Sequence, residues 1–274
     1  MALAHGVCEI LARGHSMNRL SACLITFNEE HNLPRVLNSV HGVVDEIVIV
    51  DCGSKDRTQE IAREFGAKIV VHEWTNFRDQ KNLAAANASN NWILSLDADE
   101  ELSPELRNSL LEWKSREPQF AVYEFARLTW YLGAWIHHTR WYPDYQRKLY
   151  HRDKSKFEEL EHATVKYAGP VGKLKGDLLH YTVRSFDEHA AKVENITTRL
   201  AQHMFADGRR SWRGAMWFAT PWNWFNNYVM HLGFLDGYQG WVISRMAGRA
   251  TWLKFKKLGR LITEEKRTAG PAES

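Results

Sequence analysis

Regular patterning begins at residue 20. LSACLITF (20–27) is apolar and β-rich, and EEHNLPRVLNSVHG (29–42) follows with Leu33, Val36, Leu37 and Val40 spaced for one helix face. DEIVIVDCGS (45–54) predicts a second buried strand that ends on an acid and turn residues. KDRTQEIAREFG (55–66) predicts an amphipathic helix stopped by Gly66. AKIVVHE reads as a third strand, NFRDQKNLAAANAS (76–89) as an alanine-rich helix and NWILSL (91–96) as a fourth strand. SPELRNSLLEWKSRE (103–117) predicts a helix with Ser103 as N-cap and Pro104 in its first position. Strands that are apolar throughout and alternate with amphipathic helices imply an α/β chain, its parallel sheet covered on both faces. Ligands of such sheets bind beyond the carboxyl ends of the strands.

From 119 to 182 short β-like runs (QFAVYEFARLTW, YQRKLYH, HATVKY, LKGDLLHY) are broken by Gly, Pro and charges, which predicts an antiparallel addition covering that edge. SFDEHAAKVENITTRLAQHMFADG (185–208) predicts a strong helix capped by Ser185, with Glu188 three residues on. Residues 209–260 carry six of the twelve tryptophans, and the 22 residues between Arg213 and Asp236 include no Asp, Glu, Lys or Arg. Pro221, Asn223, Asn226, Asn227 and His231 make that stretch a poor membrane span. Tryptophans flanked by Arg209, Arg210, Arg213, Lys254, Lys256, Lys257 and Arg260 favour helices lying on a membrane surface. Helices packed on the rest of the protein, or a true span, are the alternatives.

Charge sharpens this division. The chain of 274 residues has a net charge of only +3, but residues 207–274 carry about +6 and the first 206 about −3. A basic tail suggests an acidic partner surface. The cysteines Cys8, Cys23 and Cys52 are odd in number and widely spaced, against a disulfide framework or zinc site and in keeping with a reducing compartment. MALAHGVCEILARGHSMNRL has neither a basic start nor a long apolar stretch. The folded domain is therefore expected to begin near Met17, with 1–16 as a loose extension or a short extra helix.

The fourth strand carries the chemistry. WILSLDADEEL (92–102) ends in Asp97, Asp99, Glu100 and Glu101. In an extended segment Asp97 and Asp99 face one side, and two close carboxylates repel unless a positive group lies between them. A hard divalent cation meets that need with one or two carboxylates, waters and phosphate oxygens, so the run suggests a metal–diphosphate site. Glu100 and Glu101 read as the approach to the next helix. A haloacid-dehalogenase-type phosphatase is disfavoured because its Asp-x-Asp-x-Thr follows the first strand. No P-loop and no Gly-x-Gly-x-x-Gly after a strand is present.

Taken together, CLITFNEEHNLPRVLNSV, VDEIVIVDCGSKDRTQEIAREFGAKIV and QKNLAAANASNNWILSLDADEEL resemble the family 2 glycosyltransferases with the GT-A fold. The likeness is strong over about 20 to 120. It continues more weakly through LLHYTVRSFDEHAAKVENIT and GFLDGYQGW, which resemble the bacterial lipopolysaccharide-core subgroup. The resemblance implies a GT-A (Rossmann-like), mostly parallel sheet with helices on both faces, followed by amphipathic aromatic helices. It implies Thr26, Asn28 and Glu29 near the nucleoside, Asp51 on the base, and Lys81 with nearby Arg78 facing the diphosphate. It further implies Asp97 on the ribose and metal, and Asp99 on Mg²⁺ or Mn²⁺. Singly, Glu29 and Glu30 suit a helix start, Asp51 a turn, and Arg78 and Lys81 a solvated helix face; their place at successive strand ends argues for a site.

The subgroup's His-Glu pair falls in FEELEHATV, where His162 fits but Ala163 replaces the acid. Glu161 is the candidate base, since it shares a face with Ala163 in an extended segment; Glu159, Asp144 or a merely solvated acidic turn are the alternatives. No Gln-x-x-Arg-Trp motif of processive synthases occurs. The expected activity is inverting, metal-dependent transfer of a hexose from a nucleotide-sugar donor, a UDP-sugar favoured, to a lipid-linked or lipopolysaccharide-core acceptor. A polyprenyl-phosphate glycosyltransferase and a non-catalytic nucleotide-sugar-binding protein are the competing readings. No nucleic-acid partner is expected. The expected division is a glycosyltransferase domain over 17–206 (17–118 for the nucleotide sugar, 119–206 for the acceptor) and a membrane-associating segment over 207–274. The expected location is the cytoplasmic face of the inner membrane.

Overall fold

The structure is a computed structural model and describes residues 18–158, 163–183 and 185–268. The expected N-terminal extension, 1–16, lies outside the described residues. The elements run β1 (Leu20–Thr26), α1 (Leu33–Val40), β2 (Glu46–Asp51), α2 (Thr58–Glu64), β3 (Lys68–Val71), α3 (Phe77–Ala86), β4 (Trp92–Asp97), β5 (Glu100–Leu102) and α4 (Pro104–Lys114). Then come β6 (Val122–Tyr131), β7 (Ala134–Ile136), β8 (Asp144–His151), β9 (Lys156–Phe157), β10 (Val165–Lys166), β11 (Gly172–Val183), α5 (Phe186–Ala206), α6 (Arg213–Phe225) and α7 (Gly237–Thr268). Contacts divide the chain into two units. The first runs to Arg127 and includes Tyr145–His180; the second holds Leu128–Asp144 and everything from Tyr181.

In the first unit the strands follow the order β3-β2-β1-β4-β8, and the sheet continues through β6 and β11 to β5. β1 pairs parallel with β2 and β4, and β2 with β3. β8 and β5 are the antiparallel addition, on β4 and β11. This is the expected α/β fold of GT-A type. Alternation along β1 explains the two covered faces. Leu20, Ala22 and Leu24 pack with Leu33, Val36, Leu37, Leu106 and Leu110 of α1 and α4. Cys23 turns the other way, onto Ala84 and Ala85 of α3. Helix α3 is capped by Asn76, whose side chain accepts from Asp79 N, and α4 by Ser103, which accepts from Leu106 N.

Two expectations change here. Helix α1 starts at Leu33 rather than 29, because the preceding residues are held in a loop by bonds to the segment after β2. Glu100 and Glu101 lead to the next helix as a strand rather than a loop. They lie in β5, which pairs with β11 in the register Leu102 to Leu178 and Glu100 to His180. β11 also passes against the start of α4. A Cβ on Gly176, whose φ is +90°, would meet Leu106 N at 2.2 Å, so the crossing requires glycine.

The second unit is mainly helical. Helices α5 and α6 both pack on α7. Tyr131, Ile136, Val193, Val242, Ile243 and Met246 form one core, and Ala201, Phe255, Leu258 and Ile262 another. Part of the aromatic, basic segment is therefore interior, and some of its cations are committed within the unit. Lys257 meets Glu194 at 2.7 Å and Arg210 meets Glu265 at 2.9 Å.

Candidate active site

The sheet register creates the site. Thr26 stands opposite Asp51, and Ile25 opposite Asp97, so the ends of β1, β2 and β4 share one edge. Beyond that edge the first unit holds a cavity of about 730 Å³. Glu29, Lys81, Asp97, Asp99, Arg127, Arg147, Lys148, Lys166 and His180 give it a strongly charged lining.

At its floor, charges are paired rather than exposed. Asp97 Oδ1 accepts from Lys81 Nζ at 2.6 Å and Oδ2 from Lys148 Nζ at 2.8 Å. Lys148 Nζ also donates to Glu100 Oε2 at 2.9 Å, and Glu100 is completely buried. The same Glu100 oxygen accepts from Asp97 N at 2.9 Å, and Arg127 approaches its other oxygen at 3.9 Å. The Phe157 ring closes over Lys81 Nζ at 5.3 Å. Burial opposes the charge on Asp97, but the ammonium groups of Lys148 and Lys81 outweigh it and hold the carboxyl well below its ordinary range. Burial likewise opposes the charge of Lys148, and Asp97 and Glu100 outweigh it and raise the ammonium above its ordinary value.

Asp99 takes a different course. Its Oδ2 lies 3.3 Å from His180 Nε2, and its side chain is about one-third exposed (32%). His180 Nδ1 is buried without a hydrogen-bond partner. Sequence reasoning grouped Asp97 and Asp99 as one metal clamp, whereas the structure separates their partners. The charge that balances Asp97 comes from two lysines. Among the described residues no group of three or more His, Cys, Asp or Glu side chains is arranged to hold a metal. The described residues thus build no closed protein cage for a cation. Asp99 with His180 fits the looser arrangement, in which a hard cation takes its remaining ligands from water and phosphate.

The nucleoside end of the expected site is a stitched pair of loops. Asn28, at φ +56°, donates its N–H to Ser54 Oγ and accepts from Lys55 N through Oδ1. Glu29 N donates to Thr58 Oγ1 at 2.7 Å, Glu30 N to Asp56 Oδ2 at 3.1 Å, and Arg57 N to Glu30 Oε2 at 3.0 Å. Asp51 is fully buried and lies outside the cavity lining. It accepts from Thr26 Oγ1, Gly53 N, Ser54 N, Ser54 Oγ and Gln59 Nε2. Burial would raise its pKa, and these bonds, led by Ser54, outweigh that and lower it. Its carboxylate thus organises the loop that follows β2. Thr26 is buried behind it as its donor.

Of the other expected residues, Glu29 and Lys81 line the cavity. Arg78 pairs with Asp79 at 2.7 Å and lines a separate hollow with Asn82, Lys156 and Glu158. Asp144 is absent from the cavity lining. Glu159, Glu161 and His162 lie outside the described residues, while Ala163, Thr164, Val165 and Lys166 line the cavity. Lys148, Arg127 and His180 were not found from the sequence, and Glu100 was read there only as the approach to a helix. The local signals are two: a lone histidine in the apolar run LLHY and a lone lysine before LY in β8.

Comparison with known proteins adds four findings. The family model for glycosyl transferase family 2 matches residues 21–166, just over half of the chain. A protein of Rickettsia felis, named an uncharacterized glycosyltransferase, is 26% identical over 272 residues, covering 94% of this chain and 95% of that protein. The lipopolysaccharide core biosynthesis glycosyltransferase LpsC of Rhizobium meliloti is 27% identical over 226 residues, covering 80% and 82%. Among solved structures, S. aureus TarS 1-349 in complex with UDP-GlcNAc aligns at a TM-score of 0.45 and 13% identity, covering 90% of this chain and 92% of that one.

Proposed function

The chain belongs to glycosyl transferase family 2, and from that premise we propose that it moves a hexose from a nucleoside diphosphate sugar, a UDP-sugar by preference, to a lipid-linked acceptor of the lipopolysaccharide-core type. The observation that carries this reading is the Lys81–Asp97–Lys148 cluster on the floor of the cavity. It sets two ammonium groups at the carboxyl edge of the sheet, where nucleotides bind in such folds.

As the bond between sugar and diphosphate breaks, negative charge builds on the leaving oxygens. Fixed cations aimed at that charge lower the barrier without reorganising at the moment of reaction. Lys81 and Lys148 are held for this by Asp97 and Glu100, and Arg127, Arg147 and Lys166 line the same space. Asp97, about one-third exposed to the cavity (32%), keeps a carboxylate edge for the ribose hydroxyls. A Mg²⁺ or Mn²⁺ ion, when bound by Asp99 and His180, would neutralise the diphosphate further. The acceptor hydroxyl would lose its proton to a carboxylate on the opposite face of the sugar, in a single inverting displacement. Glu161, just ahead of the cavity-lining residues Ala163–Lys166, is the proposed base, with His162 beside it. The kinship with LpsC supports the acceptor class, and the reaction would take place at the cytoplasmic face of the inner membrane.

The test is nucleoside diphosphate release by the purified protein, with a panel of nucleotide sugars, lipid acceptors and Mg²⁺ or Mn²⁺, repeated with chelator. Release that requires both donor and acceptor is expected. Tight donor binding without turnover on any acceptor would instead mark a nucleotide-sugar-binding protein.

A further inference from the structure

Helix α6 turns large rings outward. Trp217, Phe218, Trp222 and Phe225 are 73%, 80%, 61% and 39% exposed, and the last three recur at the four- and three-residue spacing of one helix face. Its inner side packs Ala215, Met216 and Ala219 on the core around α7 and adds polar bonds to them. Asn223 Nδ2 donates to Thr251 Oγ1 at 2.7 Å and to Ala247 O at 3.3 Å, and buried Asn227 donates to Asn223 O at 2.9 Å. An amphipathic helix facing water keeps its outward face polar instead. Exposed apolar side chains continue through Met230, Phe234, Leu235 and Tyr238 to the start of α7. So many exposed large apolar side chains in one segment mark a place where something else docks.

Charge says what docks. From Gly208 to Thr263 the only acidic residue is Asp236. Its side chain is 4% exposed and is occupied by His137 N, His138 N and His138 Nδ1. Along α7, Trp241, Arg245, Arg249 and Trp252 form one exposed stripe. The Arg245 guanidinium lies 5.2 Å from the Trp241 ring, and Lys256 Nζ lies 4.4 Å from Trp252. We propose that this surface seats the protein on an anionic phospholipid bilayer. The α6 rings enter the boundary between head groups and acyl chains, and Arg245, Arg249 and Lys256 meet the lipid phosphates. No described helix is long and apolar enough to cross a membrane, which fits helices lying in the interface. A second copy is a poor occupant. A two-fold contact through the same patch would oppose cation to cation with no accessible carboxylate from this segment. The surface stands on its own residues, whichever acceptor the active site takes.

Flotation of the full-length protein with phosphatidylcholine vesicles, with and without phosphatidylglycerol, tests this. Wild type should float with the anionic vesicles, and less with phosphatidylcholine alone or at high salt. W217S/F218S/W222S should weaken binding at least about tenfold, and R245E/R249E should abolish the preference for phosphatidylglycerol. Tryptophan fluorescence of the wild type should be quenched by brominated acyl chains, a readout independent of any variant's folding. Turnover on a water-soluble acceptor analogue should be unchanged in W217S/F218S/W222S, which separates the surface from the transfer reaction. Wild type that neither floats nor is quenched overturns the proposal. So does undiminished flotation of the triple variant, or a lipid-free dimer that this variant splits into monomers.

Discussion

Two regions of this molecule place side chains where water-soluble folds usually do not. At the end of β4 the first unit buries ions: Lys81, Lys148 and Glu100 are all at least nine-tenths hidden. Along α6 the second unit exposes rings. The buried ions have found each other, each cation at hydrogen-bond distance from a carboxylate. The exposed rings are left open to solvent, even where Trp222 and Phe225 lie 5.9 Å apart; Trp217 and Phe218 stand more than two-thirds open. An inverted feature that is internally satisfied marks preorganisation, a site held ready. One that is left unsatisfied marks a surface waiting for its partner. The distinction is energetic: an unpaired buried ion would cost several kcal/mol, whereas an exposed ring costs the fold little.

That contrast can be broken most forcefully at Lys148. Lys148→Met leaves the fully buried Glu100 without its ammonium partner and should cost about 3–5 kcal/mol of stability, read by urea denaturation. An unchanged midpoint would mean that the cluster is not held together by its ions. Asp99→Asn alters a partly exposed group beside His180. It should lower metal-supported turnover about 100-fold, or about 2.7 kcal/mol in the barrier, while the unfolding midpoint stays put. Equal turnover with and without the substitution would remove Asp99 from the metal reading. Thr26→Val deletes one donor to buried Asp51 and should cost about 1 kcal/mol, seen as a small loss of thermal stability.

Acid sharpens the same comparison. The folded pKa values of Asp97 and Asp51 are depressed, so both groups contribute stability that is present above the unfolded carboxylate value of about 3.9. That stability is lost as pH falls through the lower folded values. In Lys148→Met, Asp97 loses a cation, its folded value rises, and the acid transition should begin at a higher pH than in wild type. A denaturant midpoint followed from neutral pH downward checks this. The smallest expected effect belongs to W217S/F218S/W222S, whose stability in lipid-free buffer should stay within about 0.5 kcal/mol of wild type. A larger fall would mean that these rings pack within the fold.

The parallel half of the sheet was legible because each strand is a local run of apolar residues and each helix a local period. The acids at its edge were legible for the same reason, since they terminate such runs. What those acids touch was not. Lys148 reaches Asp97 from 51 positions away, and His180 reaches Asp99 from β11; no local period encodes such meetings. That Glu100 lies in a strand was not legible, because three residues leave too short a pattern to tell from any other helix approach. Asp51 was correctly placed at a strand end, yet its side chain turns inward to a ring of local donors that residue type alone does not announce.

The ion cluster has one more consequence, for how the sheet finds its alignment. Asp97 comes from β4, Lys148 from the antiparallel β8 and Glu100 from β5. Side chains alternate along a strand, so sliding β8 past β4 by one residue would turn Lys148 to the opposite face. Asp97 would then lose one of its cations, and Glu100 and Lys148 would be buried apart. An apolar side chain in the same slot would tolerate the slip with little complaint. The three charges therefore work as a key as well as a binding surface: strand pairing that misses by one step fails to close, and the chain is sent back to try again.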